Sequence, residues 1–94
     1  MSKLRKSARG RECQVRIPGV CNFNQETTVL AHLPGGGMGA KKSDLHGALC
    51  CSACHDHIDG RVQSEYSHDE LALMHHQGVI RTQEIWLREG LIKA

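Results

Sequence analysis

Ninety-four residues, a net charge of +2 and a single Phe, Tyr and Trp describe one small domain with little apolar bulk. A chain of this size buries only roughly 60–65% of its unfolded surface, so so thin a core implies a staple: a disulfide set, a metal or a partner. No run approaches the ~18 apolar residues of a membrane span, and the basic N-terminus lacks the apolar stretch of a secretory signal. The expected setting is the cytoplasm, where clustered thiols bind metal more often than they pair.

Residues 1–12 form a basic arm. Across residues 1–21, Lys3, Arg5, Lys6, Arg9, Arg11 and Arg16 stand against Glu12 alone. That density suits a polyanion such as a phosphate backbone, although a solvated terminus has the same composition. In ECQVRIPGVCNFN, Pro18-Gly19 predicts a tight turn between two extended pieces, with Cys13 and Cys21 on either side of a hairpin. TTVLAHL is β-branched and apolar and predicts a buried strand that His32 interrupts. PGGGMGAKKSD, with four glycines in eleven residues, reads as a loop carrying Lys41 and Lys42.

LHGALCCSACHDHID then leads its apolar residues into a short helix stopped by Gly60. Ser67 and Glu70 form a capping-box pattern, with Leu71 and Met74 on one face of the helix they start. Gly78 ends or bends that helix, and RTQEIWLREG starts again and stops at Gly90. The chain thus divides into the arm, a core over 13–60 and a helical tail over 66–90.

Cys51-Ser52-Ala53-Cys54 is a C-x2-C knuckle, and Cys13 and Cys21 form a second pair across the Pro-Gly turn. Four thiolates at about 2.3 Å around Zn²⁺ would make a closed tetrahedral structural site. Its binding free energy, on the order of 10 kcal/mol, would count as folding free energy. The alternatives are a disulfide, which the compartment disfavours, and inert buried thiols, which the crowding disfavours. Cys50 ends the apolar run ALC and reads as a small buried hydrophobe, with an exchange of roles with Cys51 as the other reading.

Among seven histidines, His68, His75 and His76 are expected at the surface. His46 is ambiguous. His32 stands in an apolar strand directly before the glycine-rich loop, where a satisfied core histidine is the commoner occurrence. His55 and Asp59 are spaced i,i+4 and would share a helix face. They could hold a divalent ion or simply form an exposed pair, and spacing does not separate the two. His57 would point elsewhere, and Asp56 could support the site or lie near the helix's first turns as a charge.

Taken together, a cysteine pair, a strand histidine in LAHL, the loop GGGMG and a helix opening with Cys51-x2-Cys54-His55 resemble the HNH (His-Me finger, ββα-metal) nucleases on a treble-clef zinc scaffold. LRKSARGRECQVRIPGVCN, AHL, CSACHD and RTQEIWLREG are similar to the small lambdoid-prophage family of YbcO-like nucleases, over nearly the whole chain. The resemblance implies a small α+β zinc-bound domain with a helical C-terminal extension. His32 takes the place of the general base, and His55 and Asp59 that of ligands to a second divalent ion (Mg²⁺, Mn²⁺, Ni²⁺ or Zn²⁺). Arg5, Lys6, Arg9, Arg11, Lys41, Lys42 and Arg61 become candidate DNA contacts. Two positions depart from the pattern. Ala31 stands where such enzymes often carry a ligand, and no asparagine lies between His32 and the second knuckle, where Asp44 and His46 both stand.

Three functions compete on these residues. A metal-dependent endonuclease of a prophage in a bacterial cell needs His32, His55 and Asp59 convergent around an open coordination position. A non-catalytic zinc-stabilised nucleic-acid-binding module does not, nor does an interaction protein whose tail helices bind a partner. A homodimer through the C-terminal helices is a further expectation, because periodicity does not say whether Ile85, Trp86 and Leu91 pack within one chain or between two.

Overall fold

A computed structural model describes residues 3–33 and 44–92. Its elements run α1 (Lys3–Ser7), β1 (Val29–His32), β2 (Gly47–Cys50), α2 (Ser52–Ile58) and α3 (His68–Glu89), with 3-10 turns at Gln25–Thr27 and Asp44–His46. Lys41 and Lys42 fall outside the described residues. No helix among those described is long and apolar enough to cross a membrane.

β1 and β2 form an antiparallel ribbon pairing Val29 with Cys50, Leu30 with Leu49, Ala31 with Ala48 and His32 with Gly47. Side chains alternate across it, so its two faces feed two cores. Leu30 and Leu49 pack with Ala8 and Trp86, while Ala31, Ala48 and Cys50 pack with Val15, Ile17, Val79 and the cysteines. The sequence reading missed β2, taking GALC as the approach to a helix. All four of its residues are buried, so the alternation that marks a half-exposed strand is absent.

The first knuckle is not the predicted hairpin. Val20 and Cys21 both donate their backbone N–H to the Ile17 carbonyl at 3.0 Å, closing the Pro18-Gly19 turn, and no strand flanks it. Arg16 has φ 53, a left-handed backbone that stops any extended run. Gln14 N–H instead reaches across to Leu49 O at 2.7 Å.

The tail is one helix, not two. Ser67 and Glu70 make the expected capping box, and Gly90, at φ 74, closes the other end. Gly78 does not end it. A Cβ there would lie 2.8 Å from Val15 Cγ2 and 3.1 Å from Val15 Cα, so the missing side chain is what lets α3 lie directly on the first knuckle. Trp86 is fully buried with Ile85 and Leu91 packed beside it, which turns these residues into the chain's own core. The outward side of α3 carries Leu73, Ile80 and Leu87.

The N-terminal segment is docked. Leu4, Ser7 and Ala8 face inward at i, i+3 and i+4, and Ala8 is buried. Trp86 donates its indole N–H to Ser7 Oγ at 2.9 Å, and Ser7 donates its hydroxyl to Leu4 O at 2.6 Å. Arg5, Lys6 and Arg9 are left on the exposed side.

Candidate functional site

The four expected cysteines do converge. One sulfur from each of Cys13, Cys21, Cys51 and Cys54 lies within 4.8 Å of the others, although the two pairs are separated by thirty residues of chain. Both knuckles use the same local device. Arg16 N–H donates to Cys13 Sγ and Cys54 N–H donates to Cys51 Sγ, each at 3.4 Å. The Cys51 sulfur also caps the first turn of α2.

The thiols share their protons unequally. Hydrogen bonds from Cys50 and Cys54 hold the Cys13 thiol far below its ordinary value. Cys54 is raised, chiefly by its bond to Cys13, and burial pushes Cys21 up to about 11. Without a cation four thiolates cannot stand together, and the four side chains are placed to hold a metal ion. Cys50 is fully buried and lies outside this group. Its bonds to Cys13 and Cys54, then burial, drive its thiol strongly upward, so it remains a protonated donor beneath the cluster.

The histidines form two separate pairs. His32 Nε2 donates to Asp44 Oδ1 at 2.6 Å, with side chains only 16% and 20% exposed. Asp44, from the turn preceding β2, is thus the partner, while His46 is exposed and offers its backbone carbonyl to Leu33 N–H at 3.0 Å. On α2, His55 Nε2 meets Asp59 Oδ2 at 3.1 Å. Arg61 bridges Asp56 and Asp59 at 3.5 Å each. Apart from the cysteines, no three metal-ligating side chains gather within reach of one ion among the described residues, so His32, His55 and Asp59 do not form one cluster.

His75 corrects the surface expectation. It is 1% exposed and donates from Nε2 to the Ala31 carbonyl at 2.8 Å, buttressing the peptide next to His32. Burial lowers its pKa below 6.5, so the imidazole is neutral. Its place on the helix, one position from the exposed His76, carries no sign of this. His57 lines a cavity of about 520 Å³ with Ala53, Pro18 and Tyr66, and its buried Nδ1 has no hydrogen-bond partner among the described residues.

The cations are not equivalent. Arg11 forms a two-pronged pair with Glu89 at the far end of α3, and Arg61 is tied to the two aspartates of α2. Arg5, Lys6 and Arg9 line an open groove of about 710 Å³ that reaches His32. Sequence reasoning gave all of these equal standing because only the fold says what each one faces.

These features define a small α+β protein with a metal-competent four-cysteine cluster and two histidine–aspartate pairs. The chain belongs to the family described as "Putative nuclease YbcO", whose model matches residues 2–91. Relatives of that description from Escherichia coli (strain K12) and from Enterobacteria phage 82 are each 57% identical over 100 residues, covering 100% of this chain and of theirs. A solved structure of a bacteriophage protein from Escherichia coli str. K-12 substr. MG1655 superposes with a TM-score of 0.80 at 51% identity, covering 94% of this chain and 100% of that one.

Proposed function

We propose that this protein hydrolyses DNA phosphodiesters with an HNH-type centre built on a treble-clef scaffold closed by zinc. Membership of a family described as nucleases supports the reaction class. The scaffold reading rests on the chain order, a cysteine knuckle, an antiparallel ribbon and then a helix opening with the second knuckle. Tetrahedral zinc with bonds of about 2.3 Å has sulfur–sulfur edges of about 3.8 Å, and Cys21 Sγ and Cys51 Sγ stand 3.8 Å apart.

The observation that carries the catalytic reading is the His32–Asp44 pair. A carboxylate accepts only, so Nε2 carries the proton, and in the neutral imidazole Nδ1 keeps its lone pair. Among the described residues Nδ1 has no hydrogen-bond partner. It can take a proton from water as that oxygen attacks phosphorus and the bond to the departing 3′ oxygen breaks. A base so placed contributes typically about 10²–10⁴-fold. His55 and Asp59 would hold the second ion, since two cis ligands at about 2.0–2.2 Å stand about 3 Å apart, close to their 3.1 Å separation. When bound, the ion supplies positive charge to the phosphate and the leaving oxygen.

Two observations favour the runner-up, a non-catalytic nucleic-acid-binding module, the first being that His32 is not gathered with His55 and Asp59 around one ion among the described residues. The second is that Arg61 already satisfies Asp56 and Asp59, as a purely structural ion-pair network would. Incubation of supercoiled plasmid with pure protein and Mg²⁺, Mn²⁺, Ni²⁺ or Zn²⁺ separates the readings. Nicking by the wild type and its loss in His32→Ala are expected. Retarded DNA without nicking in any ion would leave only the binding module.

A further inference from the structure

The chain has twelve lysines and arginines, and the fold sorts them. α1 turns Leu4, Ser7 and Ala8 into the core, where Trp86 pins Ser7 at 2.9 Å. Arg5, Lys6 and Arg9 are thereby held along one wall of the groove between α1 and β1. Val29 and Leu30 form its floor, and His32 lies at one end. Among the described residues Glu26 is the one carboxylate lining it, against Arg5, Lys6 and Arg9, and Arg5 also meets Asp44. The groove is also continuous with the candidate base. Arg5 stands 3.8 Å from Asp44 Oδ1, the same oxygen that His32 holds at 2.6 Å.

From this placement we infer that the groove between α1 and β1 is the path of the DNA strand, with Arg5, Lys6 and Arg9 gripping successive phosphates and delivering the backbone to His32. Contacts from these cations to phosphates position the backbone and carry little sequence information. Arg11 and Arg61 are assigned no share of it, because neither lines the groove. This path deepens the nuclease reading, yet binding in the groove is independent of cleavage.

The test uses full-length protein carrying His32→Ala, so that DNA stays intact, and follows anisotropy of labelled duplex and single-stranded oligonucleotides across a salt series. Each phosphate contact contributes about 0.9 to the log–log salt slope on duplex and about 0.7 on a single strand. Arg5→Gln/Lys6→Gln/Arg9→Gln together should lower the slope by about 2–3, and the form of DNA whose loss, divided by its own per-contact value of about 0.9 or 0.7, gives more lost contacts is the one the groove takes. Arg88→Gln, an exposed cation elsewhere on α3, should leave the slope unchanged. Lys6→Gln/Arg9→Gln spares the Arg5–Asp44 contact and should lower the slope by about 1–2 with wild-type melting. A triple variant with the wild-type slope overturns the path, and so does an equal loss from Arg88→Gln. If the slope falls as expected while unsubstituted protein nicks no plasmid, the groove stands and the nuclease reading falls. Nicking with an unchanged slope gives the reverse.

Discussion

The thiol cluster and the histidine pairs are built in opposite ways. Four sulfurs from two segments thirty residues apart meet at one point, and each knuckle is locked by its own N–H···S bond. The histidines do not share a point: His32 meets Asp44 and His55 meets Asp59, and each carboxylate also faces an arginine, Arg5 or Arg61. A closed site can serve as a staple because all its ligands are spent on holding the fold. An open one must keep atoms uncommitted, as the proposed base role requires of Nδ1 of His32. The cluster should therefore govern folding and the pairs should govern chemistry, with little exchange between them.

The strongest way to break that division is to remove the staple. Chelation, or Cys51→Ala, should abolish cooperative unfolding in a circular-dichroism melt. A binding energy of about 10 kcal/mol or more rivals the ~5–15 kcal/mol of a whole domain. Next, His32→Ala should cut plasmid nicking by about 10²–10⁴-fold while costing only the ~1–3 kcal/mol of the lost bond to Asp44; loss of cooperative unfolding would merge the two regions. Gly78→Ala sets a Cβ 2.8 Å from Val15 Cγ2, and overpacking of this kind costs about 1–3 kcal/mol. Denaturant titration should find that loss, and it belongs to the cluster side because Val15 lies in the first knuckle.

His75 joins the two regions, since it sits on α3 and holds the Ala31 carbonyl. His75→Leu strands that carbonyl and should cost about 1–3 kcal/mol by the same titration. The pH dependence has a definite sign. Burial lowers the folded pKa from 6.5, so the unfolded chain takes up the proton first on acidification. This contribution is complete above pH 6.5 and is lost as pH falls toward the folded value. His75→Gln, which can still donate to Ala31, should flatten that part of the stability profile. The smallest effect is expected for Ser7→Ala, about 0.5–1.5 kcal/mol from the lost Trp86 bond, measured as a small shift in denaturant midpoint.

Local signals in the sequence were reliable wherever a few adjacent residues decide the outcome. The Ser67–Glu70 box, the glycines at 60 and 90 that follow helix ends, and the C-x2-C knuckle all behave as read. Gly78 misled because its local meaning, a helix breaker, was overridden by a neighbour sixty-three residues away, Val15. β2 was hidden because burial on both faces erases alternation. His75 looked like a surface residue because nothing in MHHQG says which histidine faces the ribbon.

By itself, then, the sequence determined the four-cysteine set, the capped and terminated helices and a histidine set in a strand. Each depends on residue type and on spacing along one turn or one pair. Only the tertiary structure decided that Cys50 packs beneath the cluster, that Asp44 rather than His46 partners His32, and that Arg5, Lys6 and Arg9 share a groove while Arg11 and Arg61 lie outside it. Those choices depend on which distant segments meet. They are set by how α3 lies across the ribbon and the first knuckle, and spacing along the chain carries no record of that contact.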